Sequence, residues 1–325
     1  MSEIAERQKA PLGLILAAFA VVYLVWGSTY LAIAYLVESM PPLLAAGARF
    51  VLAGVILFSF LQWRWPTATT FKQWRAAALI GTLLLLGGNG IVCIAQQFVP
   101  SGITALIIGS APLWFTSLDA LFYKGPRPTF RILLGLAIGS LGVFFLVQST
   151  KKMGLQAEAF WPAASLIAAC FFWALGSLHS RKAGLPASPF LSTAMQMICG
   201  GLSQLLVGLL MGEASKVNLA AFTTNSWIAW GYLVTFGSLL SFTCYVWLLS
   251  VATPTQVSTY AYVNPVIALI LGVLVRNEPL TKTALLAAGM IIFAVILITT
   301  AKRAKQQVVA KPENAQGELS AADGR

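Results

Sequence analysis

The sequence predicts an all-α integral membrane protein of ten transmembrane helices, arranged as two inverted five-helix repeats around a central cavity. Three observations lead to this prediction: an apolar composition, ten long apolar segments and an ordered internal match. Of the 325 residues, 58% are hydrophobic and only 10% are charged, whereas a soluble domain carries about 25% charged residues. This composition excludes a soluble globular enzyme, a disordered chain and a nucleic-acid-binding domain.

The ten apolar segments each have about 20 residues, which is the length of a membrane-spanning helix. They cover residues 12–36, 42–61, 74–96, 101–123, 128–147, 160–178, 189–211, 226–250, 254–275 and 282–300. Strands of a membrane barrel are about half as long and alternate apolar with polar residues. These segments do not alternate, so they are predicted to be helices, which satisfy their own backbone hydrogen bonds in lipid. Residues 301–325 are predicted to form a polar, disordered cytoplasmic tail.

The net charge of +11 comes from 21 Lys and Arg against 10 Asp and Glu. These charges lie between apolar segments and indicate orientation in the membrane. With a cytoplasmic N-terminus, the cytoplasmic loops hold 13 Lys and Arg near the membrane and the opposite loops hold 5. Both termini are therefore predicted to be cytoplasmic, in a multi-pass protein of the inner membrane. The first apolar run exceeds the core of a signal peptide and is interpreted as a retained span.

The two halves of the chain match each other in order. The matches are Pro112 with Pro265, Pro126 with Pro279, and Trp26-Gly27 with Trp173-Ala174. The first two pairs share an offset of 153 residues. Because each half, 12–147 and 160–300, has an odd number of spans, the second half enters the membrane from the opposite side. Inverted repeats of this kind are typical of transporters; a chance match between apolar sequences is the alternative.

Four short motifs carry a resemblance to a known family. They are Trp26-Gly27-Ser28-Thr29-Tyr30, Ala48-Arg49-Phe50, Val99-Pro100-Ser101-Gly102 and Ala261-Tyr262-Val263-Asn264-Pro265-Val266. Together they resemble the ten-span, EamA-type branch of the drug/metabolite transporter superfamily, over about residues 12–300. The resemblance implies two five-helix halves around a cavity, alternating access, and small metabolites, often amino acids, as exported substrates. The family often has Gly-Glu after spans 4 and 9; Glu278 matches, but Pro126 stands at the first of these places.

Two charged residues inside the spans are candidates for transport chemistry. Arg49 lies about two turns from the non-cytoplasmic end of span 2 and should face protein or water. It is predicted to anchor a substrate carboxylate, or else to be a structural arginine bound by backbone carbonyls. Asp119 lies near the cytoplasmic end of span 4 and is the best candidate for proton coupling. Its alternative is an interfacial pair with Lys124 or Arg127.

Polar and aromatic side chains within the spans are predicted to line the substrate cavity. Asn89 lies on a polar stripe of span 3, and Tyr245 lies on a similar stripe of span 8. Such stripes face a cavity or another helix. The resemblance adds the remaining candidates near the cavity, namely Trp26, Tyr30, Trp173, Tyr260, Tyr262 and Asn264. The five aromatic residues of this set offer a surface for stacking or cation–π contact, with ordinary packing of the bundle as the alternative.

Pro112 and Pro265 remove backbone donors inside spans 4 and 9 and are predicted to act as hinges or gates, with close helix packing as the alternative. The run Gly87-Gly88-Asn89-Gly90 is predicted to loosen span 3.

No cofactor or metal is predicted, because the chain has one His and four Cys without paired spacing. The leading prediction is therefore a non-enzymatic carrier that binds a small-molecule substrate in a lipid bilayer, does not bind nucleic acid, and is a monomer or weak homodimer. The alternative is an integral membrane enzyme acting on lipid or prenyl substrates. That chemistry needs clustered carboxylates or a His base with an acidic partner.

Overall fold

The computed structural model describes residues 11–123, 129–152, 160–252, 257, 260–278 and 280–306. These residues form ten long helices and no strand. The helices are α1 (Leu12–Leu36), α2 (Pro42–Arg64), α3 (Phe71–Ala95), α4 (Ser101–Phe122), α5 (Phe130–Lys152), α6 (Phe160–Ser180), α7 (Pro189–Leu210), α8 (Thr224–Val251), α9 (Tyr260–Arg276) and α10 (Lys282–Gln306).

Seven of these helices, α1–α4 and α6–α8, are long and apolar enough to cross a membrane. The other three contain shorter apolar stretches, at Phe130–Gly142, Val263–Arg276 and Lys282–Ala294. Large apolar side chains cover the outside of the bundle; Leu24, Leu206 and Leu286 are each about 60% exposed. The prediction of an all-helical, multi-pass membrane protein is confirmed, and the count of ten spans stays a prediction.

Helix α10 does not end where the apolar segment ends. The predicted tail begins at residue 301, but the helix continues to Gln306. The reason is local propensity, because Ala301-Lys-Arg-Ala-Lys-Gln306 consists entirely of strong helix formers. Residues 307–325 lie outside the described residues.

Helix α3 begins at a capping box, in which Thr70 and Gln73 each bind the other's backbone N–H.

The helices pack in a pattern that repeats between the two halves. Helix α2 packs on α7, α5 on α10 and the first part of α4 on α9. Helix α1 packs on α8 and α9, while α6 packs on α3 and α4. Helix α2 also contacts α8, and α7 contacts α3. Replacing each helix in these pairs by the helix five positions away returns the same set of pairs.

Glycines allow a close contact between α2 and α7. A Cβ atom added to Gly47 would lie 2.8 Å from the carbonyl oxygen of Gly201, and one added to Gly201 would lie 2.8 Å from that of Gly47. Small residues let membrane helices approach closely, because side chains then do not separate the backbones.

Helices α3 and α8 each contain a long π-helical segment. It covers Thr82–Gly90 in α3 and Leu233–Phe242 in α8. Extended π-helical turns are rare and often occur at functional sites. In α3 the segment includes the Gly87–Gly90 run, where the sequence predicts a loosened helix. Both segments border the central cavity described below.

The two predicted hinge prolines differ in their surroundings. Helix α4 is interrupted at Gly109 and Ser110, and Pro112 lies in the first turn of its second part, Ala111–Phe122. A proline is tolerated there, since the first N–H groups of a helix have no intrahelical acceptor. Pro265 lies inside α9, which continues from Tyr260 to Arg276. A hinge role for either proline stays a prediction.

Candidate functional site

A central cavity lies between α1, α2, α3, α4, α6, α8 and α9. Its empty volume, which includes space open to solvent, is about 750 Å³. Six of the residues predicted to line a cavity do so: Trp26, Tyr30, Arg49, Asn89, Trp173 and Tyr260. They come from both halves of the chain, and their role in binding substrate stays a prediction.

Arg49 is a buried cation on the wall of this cavity, with 2% of its surface exposed. Its Nη2 donates a hydrogen bond of 2.7 Å to Oδ1 of Asn89, and its Cζ lies 4.4 Å from the centre of the Phe50 ring. Its Nε is fully buried and has no hydrogen-bond partner. Within the described residues, the ion pairs are those of Arg276 with Glu38 and Glu278, and neither involves Arg49.

Aromatic rings form another part of the wall. Trp26 contacts the rings of Trp173, Tyr245 and Tyr260, with centroid distances of 5.6, 4.9 and 5.5 Å. The Trp26–Trp173 and Trp26–Tyr260 pairs are edge-on, the geometry that aromatic quadrupoles favour. Because these contacts join α1, α6, α8 and α9, the rings connect the two halves at the cavity.

Tyr245, a predicted cavity residue, lies behind this aromatic wall rather than in the cavity lining. It is fully buried, and its hydroxyl accepts a hydrogen bond of 3.2 Å from Nε1 of Trp173. The same hydroxyl lies 2.8 Å from Oγ of Ser177. Tyr245 therefore holds the indole of Trp173 in position, and its contact with the cavity is indirect.

Two further predicted residues, Asn264 and Asp119, are not among the described residues of the lining. Asn264 is buried between α1 and α9; with its amide oriented to satisfy both atoms, its nitrogen donates to the carbonyl oxygens of Tyr260 and Tyr23, at 3.3 and 3.1 Å. Asp119 is half-buried near the end of α4. Lys124 and Arg127, its predicted partners, lie outside the described residues, as does Pro126. The backbone of Tyr262 belongs to α9, but its side chain is outside the described part of the structure.

Sequence reasoning missed most of the apolar lining. Examples are Ile33, Phe50, Val92, Ile108, Cys170 and Phe242. In a membrane helix both the lipid-facing and the inward faces are apolar, so hydropathy does not separate them. One detectable signal was Gly88, where a Cβ would lie 2.8 Å from Cε3 of Trp173. The glycine lets this indole lie directly against the backbone of α3.

Acidic residues join the two halves at one end of the bundle. The Glu213 carboxylate accepts hydrogen bonds from the backbone N–H groups of Leu43 and Leu44, at the start of α2. The Glu278 carboxylate accepts bonds from the N–H groups of Ser101 and Gly102, at the start of α4. Both carboxylates supply acceptors that helix N-termini lack.

An ion pair lies at the same end. Nη1 of Arg276, the last residue of α9, lies 2.6 Å from Oε1 of Glu38, just after α1. We call this set of contacts, formed by Glu38, Glu213, Arg276 and Glu278, the distal contacts. Sequence reasoning identified Glu278 only as a motif position and missed Glu213.

The described residues contain no group of three or more His, Cys, Asp or Glu side chains placed to hold a metal ion. The cavity thus offers a guanidinium, an amide, aromatic rings and apolar groups. Such a lining binds and orients a solute through polar contacts and packing.

A helical membrane bundle with a cavity between its halves has the architecture of a membrane transport protein. The chain belongs to the EamA-like transporter family, whose family model matches residues 11–148 and 160–300. The predicted resemblance to this family is confirmed.

The chain is similar to several known proteins. It is 37% identical to "Uncharacterized inner membrane transporter YedA" of Escherichia coli (strain K12) over 297 residues, which are 91% of this chain and 93% of the relative. It is 27% identical to "Protein PecM" of Dickeya dadantii (strain 3937) over 285 residues, which are 84% of this chain and 88% of the relative. These similarities and the apolar helices support a multi-pass protein of the inner membrane.

One solved crystal structure resembles the fold with a TM-score of 0.62 and 18% identity, over 90% of this chain and 99% of the other. At this identity the likeness extends to the fold alone.

Proposed function

We propose that the protein is a carrier that exports small organic solutes, such as amino acids or related compounds, across the inner membrane by alternating access. The observation that carries this proposal is the central cavity, where Arg49, Asn89 and an aromatic wall lie between the two stretches that match the family model. The described residues of the lining all come from one chain, so we propose that a monomer is sufficient for transport.

The proposed architecture is ten spans in two inverted repeats, 12–147 and 160–300. The packing pattern supports this architecture, because the same helix pairs result when each helix is replaced by the helix five positions away. A two-fold relation between the halves would produce that pattern. The matching π-helical segments in α3 and α8 support it as well, since these helices hold corresponding places. Five spans in each half make the repeats inverted, with both termini in the cytoplasm.

Alternating access requires contacts that break when the cavity opens to one side. The distal contacts suit this role, because each of them joins the first half to the second. Pro112 and Pro265 are the proposed hinges, and Asp119 is the proposed site for coupling to protons. With a cytoplasmic N-terminus, the distal contacts lie on the periplasmic side.

Uptake into proteoliposomes containing the full chain tests this proposal. The assay uses a panel of radiolabelled amino acids and deaminated analogues, with and without an imposed pH gradient. We expect saturable uptake that is retained by Gly231→Ala, because a Cβ there meets nothing within 4 Å, and is strongly reduced by Asn89→Leu in the cavity.

Uptake only with the gradient would support proton coupling and make Asp119 the first residue to substitute, and uptake without it would support facilitated diffusion. Absence of saturable uptake for every solute, in liposomes whose protein retains its cooperative thermal transition, would contradict the proposal.

A further inference from the structure

We infer that the cavity selects organic monoanions, with Arg49 binding a single carboxylate and the aromatic wall binding an apolar body, and that no ammonium group is needed. This inference rests on the proposed function and narrows its substrate class. It distinguishes deaminated acids from the amino acids that share their carbon skeleton.

The Arg49 guanidinium has few hydrogen-bond partners among the described residues. Only Nη2 of its three nitrogens has a hydrogen bond within the described part of the chain, and Nε is buried without an acceptor. A buried charge is costly unless it is paired and hydrogen-bonded. Glu213 is also buried, but its oxygens bind backbone N–H groups at the start of α2, and it forms no ion pair with Arg49 among the described residues. Arg49 therefore has no anionic partner among the residues that the structure describes.

Asn89 and Phe50 hold the Arg49 guanidinium in a fixed position. Oδ1 of Asn89 accepts hydrogen bonds from Nη2 of Arg49 and from Sγ of Cys93, at 2.7 and 3.5 Å. Phe50 covers one face of the guanidinium. A guanidinium fixed in this way still has N–H groups along its edges, and its planar fork matches the two oxygens of a carboxylate. The Asn89 amide nitrogen has no partner among the described residues and offers a further donor.

Aromatic rings form much of the remaining cavity lining. Trp26, Trp173 and Tyr260 present aromatic surface, and no Asp or Glu is among the described residues of the lining. A bound monoanion would neutralise Arg49, whereas a dianion would leave an uncompensated charge in a medium of low dielectric constant. Among the described lining residues, the ammonium of an amino acid would find no carboxylate, and ring faces bind a cation more weakly than a carboxylate does. A carboxylate with an apolar body matches the guanidinium and the aromatic rings.

Binding to the purified full-length protein in lipid nanodiscs tests this inference. Three probes share one phenyl ring and differ in charge: 3-phenylpropionate, phenylalanine and phenethylamine. Isothermal titration calorimetry at neutral pH should give the tightest binding for 3-phenylpropionate and the weakest for phenethylamine, with about a tenfold or larger difference in Kd between these two.

Two substitutions separate binding by Arg49 from a structural role. Arg49→Gln should remove the preference for the anion. Asn89→Asp keeps the size of the side chain but places a carboxylate 2.7 Å from Nη2, so the guanidinium becomes paired within the protein. We expect Asn89→Asp to keep or raise the melting temperature and to weaken 3-phenylpropionate binding about tenfold. This second variant keeps the test informative if Arg49→Gln fails to fold.

Unchanged binding of 3-phenylpropionate by a folded Asn89→Asp protein would overturn the inference. So would tighter binding of phenylalanine or phenethylamine by the unaltered protein. In either case, saturable uptake of other solutes would leave the proposed carrier function standing. Failure of the function itself would instead appear as absent uptake across the whole solute panel.

Discussion

Trp26 and Trp173 meet edge-on in the centre of the bundle, with ring centroids 5.6 Å apart and an interplanar angle of 79°. They come from α1 and α6, the first helices of the two halves, and the sequence pairs them as counterparts. Their hydrogen bonds differ. Nε1 of Trp26 lies 3.4 Å from the carbonyl oxygen of Gly237, whereas Nε1 of Trp173 donates to the Tyr245 hydroxyl at 3.2 Å. The two counterpart indoles are thus held by different neighbours.

Tyr245→Phe removes the hydroxyl that holds Trp173. Because the indole N–H is then left without its acceptor, we expect a stability loss of about 1 kcal/mol and weaker solute binding through a less well-oriented ring. Thermal melting and the Kd for 3-phenylpropionate, both measured on the same sample, check this prediction. The control is Tyr232→Phe, which also removes a bonded hydroxyl, one that lies 2.6 Å from Oγ of Ser28, but at a residue outside the cavity lining. Equal Kd values for the two variants would contradict a positioning role for Tyr245.

Gly88→Ala tests the close approach of Trp173 to α3. The added Cβ would lie 2.8 Å from Cε3 of the indole, so the ring must shift away from α3. We expect several-fold weaker solute binding, even though alanine favours a helix more than glycine does. Gly231→Ala gains the same propensity in open space and serves as the control. Solute binding by Gly88→Ala that equals binding by Gly231→Ala would show that the indole is free to move aside.

Some parts of this architecture could be predicted from the sequence because their physical signals are local. The long apolar helices follow from hydropathy, and a lone arginine such as Arg49 must face protein or water. The π-helical segments at Thr82–Gly90 and Leu233–Phe242 could not be predicted in this way. Hydropathy does not distinguish an i→i+4 from an i→i+5 hydrogen-bond pattern.

Contacts between residues that are far apart in the sequence could not be predicted either. Glu213 binds the N–H of Leu43, which is 170 residues away, and nothing near either residue indicates the other. The members of the predicted polar stripe of α3 also have different partners, which the sequence alone does not indicate. Its last member, Gln96, donates to the carbonyl oxygen of Tyr30, so this part of the stripe binds another helix, while Asn89 lines the cavity.

Glu213→Gln tests the contribution of a carboxylate to the start of α2. Glutamine keeps one acceptor oxygen but loses the charge and the second oxygen, while Leu43 and Leu44 still need acceptors. We expect a loss of about 1–2 kcal/mol, because hydrogen bonds to buried charged groups are worth about 1.5–3 kcal/mol. The melting temperature in nanodiscs reports this change. Glu38→Gln, at a side chain that is 40% exposed, should lower the melting temperature far less; equal losses would contradict the capping argument.

The Glu38–Arg276 pair tests whether the distal contacts control access to the cavity. The two side chains are 40% and 25% exposed, so water screens the pair and its contribution should be about 0.2–1 kcal/mol. A change of that size moves a two-state equilibrium by at most about fivefold. Glu38→Gln should therefore raise the population open at the distal end by no more than this factor.

Cys170 provides a native reporter, because it lines the cavity and is 1% exposed. With the other three cysteines replaced by serine, a membrane-impermeant thiol reagent applied from the distal side should label Cys170 faster in Glu38→Gln than in the parent. Arg276→Gln should have the larger effect, since Arg276 also lies 3.9 Å from Glu278 and 4.8 Å from the centre of the Tyr35 ring. The exchanged pair, Glu38→Arg with Arg276→Glu, should restore a rate near that of the parent. Identical rates in all four proteins would mean that the ion pair does not limit access from this side.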